Sequence, residues 1–112
     1  MKLRLVGSLL MLMVAVSVLG QIPSTTSVPA PGGDIVITAL GHASVQFERS
    51  GTVVIVDPVT NFADLSKAKP ADLILVTDIH PDHFDPAAIT KLRKPRAPVV
   101  LTPAAMEMRK IP

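Results

Sequence analysis

Asp78, His80, Asp82 and His83 stand within six consecutive positions, in the stretch "VTDIHPDHFD". Two of the chain's three histidines are among them. Imidazole and carboxylate in one short loop suit Zn²⁺, Mn²⁺ or Fe. In a locally extended chain, residues 78, 80 and 82 point the same way. His83, next along, points elsewhere unless the loop turns, and Pro81, which fixes one φ angle, favours a turn. Such a loop can feed two adjacent metals. Any one of these residues has a plainer use, because Asp and His also cap helices and close turns. Asp85, and Asp82 after it, are the residues most easily explained so. All four together, directly after an apolar run, favour a metal or catalytic role.

The elements that must position this loop follow from the neighbouring pattern. "LILVT" (Leu73–Thr77) is a continuous apolar run, as expected of a strand buried on both faces. Loops at the carboxyl ends of such strands are frequent places for chemistry in α/β sheets. "DPAAITKLRK" opens with Asp85 as N-cap and Pro86 at the first helical position, and carries basic residues in its last turn. "PVVLT" predicts a second short buried strand, and "TPAAMEMRK" a second helix opening at Thr102–Pro103. Upstream, "DIVITAL" is short and β-branched, and "GHAS" breaks it. "SVQFERS" alternates Val45 and Phe47 against Gln46 and Glu48, as a half-buried strand does. Ser50–Gly51 is a two-residue turn signal, and "TVVIVD" follows at once. The order is a β-hairpin, then strand, helix, strand, helix, which predicts an α/β layer with a largely buried sheet.

The chain is 112 residues long, at most one small domain. At 48% hydrophobic residues it is too apolar for a disordered chain. Three Phe with no Trp or Tyr leave no stacking platform for nucleic acid. The absence of cysteine excludes disulfides, thiolate zinc sites and a Cys nucleophile. Residues 1–20 read as an export signal: Lys2 and Arg4, then the apolar run Leu5–Leu19, then small residues before Gln21. The run is shorter than the roughly 20 apolar residues of a spanning helix. The expected location is therefore periplasmic or secreted, or the membrane surface if the segment is retained. Removing Lys2 and Arg4 from the 11 basic residues leaves nine, equal to the 9 acidic ones. A neutral chain predicts no nucleic-acid or anionic-membrane partner. Residues 21–33, rich in Pro, Ser, Thr and Gly, are expected to be a flexible linker, and residues 34–112 the folded part.

Three separated segments, in order, carry a resemblance. "VTDIHPDHFD" resembles the "THxHxDH" metal-binding motif of the metallo-β-lactamase superfamily. "GHAS" and "VDP" resemble the turn and the third-strand end of the branch containing L-ascorbate-6-phosphate lactonase and N-acylphosphatidylethanolamine-type phospholipase D. The resemblance implies that His80 is a ligand of a first metal. It implies that Asp82 and His83 are ligands of a second, with Asp82 also orienting the metal-bound water. Asp57 corresponds to a carboxylate beneath the site. His42 falls near the pocket, as a turn residue hydrogen-bonded to backbone or as a group behind the ligands or facing substrate. Asp78 stands where the motif has a histidine. It can still bind through oxygen, and it shifts the preference from Zn²⁺ toward Mn²⁺ or Fe.

The resemblance further implies metal-assisted hydrolysis of an ester, lactone or phosphodiester of small-molecule or lipid-like type, and a four-layer αββα sandwich. This chain corresponds to its N-terminal half, a mixed sheet with flanking helices behind a signal-peptide helix. The further family ligands, a histidine, a bridging aspartate and a last histidine, have no counterpart after His83. The expectation is a partial domain with weak activity or none, or alternatively a non-catalytic exported metal-binding module. A sheet face without its partner sheet predicts self-association.

Overall fold

The computed structural model describes residues 24–108. The expected signal segment, the start of the expected linker and residues 109–112 lie outside them. Six strands form one mixed sheet in sequence order: β1 (Ser24–Val28), β2 (Ile35–Gly41), β3 (Ser44–Arg49), β4 (Thr52–Val56), β5 (Leu73–Leu75) and β6 (Val99–Val100). The first four pair antiparallel, and β4, β5 and β6 are parallel. A 3₁₀ turn (Leu65–Lys67) precedes β5, helix α1 (Pro86–Leu92) joins β5 to β6, and α2 (Pro103–Met108) follows.

Local chemistry accounts for these elements. Ser50 and Gly51 both take positive φ, 48° and 81°, as a two-residue hairpin turn with the twist of its strands requires. Asp85 caps α1 by accepting from the Ala88 amide, with Pro86 at the first helical position. Thr102 accepts from the Ala105 amide and opens α2. Helix α1 buries Ala88, Ile89 and Leu92 against Val53, Ile55, Ile74 and Val76, with Phe84 and Ala71 completing the core.

Two expectations are corrected. Residues Ser24–Val28, expected within a flexible linker, form a strand in register with β2 from Ser24 opposite Ala39 to Val28 opposite Ile35. Every residue of this strand is exposed, so it carries no hydrophobic period. Its β-branched Thr25, Thr26 and Val28 favour the extended backbone regardless. Secondly, β5 and β6 are buried on one face only. Across the sheet, Gln46, Ile55 and Ile74 share a register row facing the helix, and all three are buried. The row Ile37–Phe47–Val54–Leu73 and the row Val45–Val56–Leu75–Val100 face the other way. No residue of these two rows is buried, and Val100 is 54% exposed. The run "LILVT" is continuously apolar because both faces of the sheet are apolar, although among the described residues a layer covers only one.

Candidate metal centre

The parallel pair β4 and β5 sends two loops out of the same sheet edge. The first begins with Asp57, held at φ 45° with its amide donating to Leu75 O at 2.9 Å. Its side chain is 2% exposed. Three donors satisfy the carboxylate: the Thr77 amide (2.8 Å), the Thr77 hydroxyl and His83 Nδ1 (2.8 Å). Ser44 Oγ donates to the Asp57 carbonyl at 2.5 Å, which ties the start of β3 to the same point.

The second loop carries the acidic and imidazole cluster. It runs extended through Asp78, then turns: the His83 and Phe84 amides both donate to His80 O at 2.9 Å. Phe84 is buried in the core, and Asp85 caps α1 and also accepts from the Thr60 amide at 2.9 Å. His83 therefore sits between two anchors. A carboxylate only accepts, so His83 carries its proton on Nδ1 toward Asp57 and turns Nε2 outward. That nitrogen lies 3.6 Å from Asp82 Oδ2. The hydrogen bond to Asp57 raises the His83 pKa against the opposing effect of burial, and the charges of Asp82, Asp57 and Asp78 add to the rise.

His42 arrives from the β2–β3 turn. It takes φ 49° directly after Gly41 at φ 127°, where the strand register shifts. Its Nε2 is 2.8 Å from Asp82 Oδ2. That bond is the main cause lowering the Asp82 pKa, partly offset by burial. The His42 ring also lies 5.4 Å from the ring of Phe62, which is 49% exposed.

The structure thus gathers His42, Asp82 and His83, with one ligand atom of each within 4.8 Å of the others. Asp57 lies beneath His83, where the motif resemblance puts a supporting carboxylate. Asp78 and His80 pair with each other instead, Oδ2 to Nδ1 at 2.8 Å, and both side chains are well exposed. The expected extended run from Asp78 to Asp82 is broken by the bend at Ile79–His80 and the turn that follows, which takes Asp82 to the side of His42. The His80 bond is the main cause lowering the Asp78 pKa.

Sequence reasoning missed Thr77 and Phe62. Thr77 holds Asp57, and its signal was available as the threonine opening the "THxHxDH"-like motif. Phe62 had none, being a single aromatic in a polar loop. Among the described residues, no helix is long and apolar enough to cross a membrane.

Fold and site together define an α/β domain that gathers side chains able to hold a metal on the loops at its strand ends. More specifically, the chain belongs to the family described as "Beta-lactamase superfamily domain", which matches residues 36–111. It is also similar to a solved structure named "Putative metal-dependent hydrolase" from Parabacteroides distasonis, at 28% identity and a TM-score of 0.71. That likeness covers 78% of this chain and 40% of the other, so the chain spans less than half the length of that protein. No curated protein matches the chain.

Proposed function

We propose that the chain carries part of the active site of a metal-dependent hydrolase of this superfamily, acting on an ester, lactone or phosphodiester bond. The "GHAS" and "VDP" segments favour the lactonase and phospholipase D branch. The observation that carries the reading is the pair His83 and Asp82, with His83 fixed from behind by Asp57.

The residues suit a bound metal on their own chemistry. His83 in its neutral form offers Nε2 as a ligand, oriented by a buried carboxylate on its other nitrogen, the arrangement that usually backs a metal-bound imidazole. Asp82 presents a carboxylate beside it. These two would hold the ion, with Zn²⁺ the first choice by donor type and Mn²⁺ or Fe the alternatives that Asp78 leaves open. A metal bound there supplies Lewis acidity and lowers the pKa of a coordinated water to about 7. Asp57 keeps the His83 proton on Nδ1, and Thr77 keeps Asp57 in place. Asp82 is the group placed to orient water. Phe62 gives the mouth of the site an apolar wall. Export through residues 1–20 belongs to the same proposal.

The experiment is hydrolysis of chromogenic ester, lactone and phosphodiester substrates by the chain, with and without Zn²⁺ or Mn²⁺. Metal-dependent turnover that Asp82→Asn abolishes supports the reading. The second reading, a metal-binding module without catalysis, is favoured by the 40% span of the solved hydrolase. Metal binding with no turnover of any substrate would select it.

A further inference from the structure

We propose that His42 is itself a metal ligand, and that His42, Asp82 and His83 form a single three-ligand site. This rests on the metal-dependent reading above and changes its ligand set. The motif resemblance draws ligands from one short loop. The structure adds one from a hairpin turn 40 positions earlier.

The separations carry the inference. Ligand bonds of about 2.0–2.2 Å in tetrahedral geometry put donor atoms roughly 3.3–3.6 Å apart. Asp82 Oδ2 lies 2.8 Å from His42 Nε2 and 3.6 Å from His83 Nε2, values that bracket this range. Asp82 is thus the shared vertex of the group, with an imidazole nitrogen on either side. All three residues offer atoms within 4.8 Å of one another, and around an ion the 2.8 Å His42–Asp82 contact would open toward the ligand range. Two imidazoles and one carboxylate form a donor set that binds divalent metals and leaves coordination positions open. To ligate, His42 would present Nε2 without a proton and carry its proton on Nδ1 instead.

His42 holds φ 49°, in the left-handed region where Asn, Asp and His are the usual non-Gly occupants. From that turn its ring reaches Asp82. Asp78 and His80 pair with each other at 2.8 Å and stand outside the three-residue group.

The test is Zn²⁺ and Co²⁺ titration of the metal-free chain by calorimetry, beside His42→Asn, His80→Ala and His83→Ala. Asn tolerates the left-handed turn, so His42→Asn keeps the hairpin, and circular dichroism checks this. The expected result is one site per chain, weakened at least tenfold in His42→Asn and His83→Ala and less than twofold in His80→Ala. X-ray absorption of the Zn²⁺-loaded protein should count two imidazoles in the wild type and one in His42→Asn. Unchanged affinity and two imidazoles in His42→Asn, with loss in His83→Ala, would overturn the role of His42 and leave the metal-dependent reading standing. No binding of either metal by the wild type would overturn both.

Discussion

His83 Nδ1 lies 2.8 Å from Asp57 Oδ2, and this contact joins the two loops that leave β4 and β5. One partner is almost fully buried and the other reaches the surface. The buried carboxylate therefore governs the orientation, the tautomer and the charge of the exposed ring.

The His83 titration should show this directly. In the metal-free chain its pKa is raised, first by the bond to Asp57. NMR should place it above the ordinary imidazole value of about 6.5, and Asp57→Asn should bring it down. A raised folded pKa contributes stability that is full below the unfolded value and is lost as pH rises through the folded one. The wild type should therefore lose part of its stability above pH about 6.5, and Asp57→Asn should lose less. Denaturant midpoints measured across that window check it.

Asp85 should behave in the opposite sense. Its burial acts to raise the pKa, but the amides of Thr60 and Ala88 outweigh this and lower it. Its stabilising effect is present above the unfolded carboxylate value of about 3.9 and is lost as pH falls through the lower folded value. Asp85→Ala should cost about 1 kcal/mol at neutral pH, the usual cost of losing an N-cap. Urea denaturation at pH 7 and pH 3 should show the difference between the two proteins shrinking in acid.

Ile89→Ala should be more severe. Ile89 is fully buried in the layer between α1 and the sheet. Truncation there should cost about 2–5 kcal/mol, by lost burial and the cavity left behind. A sheet with one covered face has little stability to spare, so thermal melting of this variant should lose its cooperativity.

The uncovered face should drive self-association. Its two register rows are apolar from β2 to β6, with Ser24 and Thr26 of β1 at their edge, and Phe47 is 36% exposed. Contiguous apolar patches of this kind mark interaction surfaces. Analytical ultracentrifugation of residues 21–112 should find dimers or larger species at micromolar concentration, and Phe47→Lys should shift them toward monomer. A wild type that stays monomeric throughout would count against this.

Much of the architecture was legible. The alternation of Val45 and Phe47 and the Ser50–Gly51 turn mark the β3–β4 hairpin, because period and turn chemistry are local. Asp85–Pro86 marks the start of α1 for the same reason. Strand β1 was not legible, since a strand exposed on both faces has no hydrophobic period. The continuous apolar run at β5 marks the strand and misreports its burial, because sequence records what a face is made of and not what covers it. At the site, the closeness of Asp82 and His83 was legible from their density in one loop, and Asp57 only through the resemblance. The partners of His42 and the separate pairing of Asp78 with His80 were not, because they depend on the turn at Pro81 and on contacts across 40 residues.

Ser44 Oγ reaches the carbonyl of Asp57, whose side chain reaches His83. The β2–β3 turn, the end of β4 and the β5–α1 loop are thus linked beneath the surface group. The link from Asp57 to His83 cannot form with the hairpins, because it closes 26 residues of chain and needs β5 in place. The pocket is therefore a late event in folding, assembled only once β5 has docked beside β4. In refolding kinetics, the hairpins should gain protection from hydrogen exchange before the amides of Asp57 and Thr77 do.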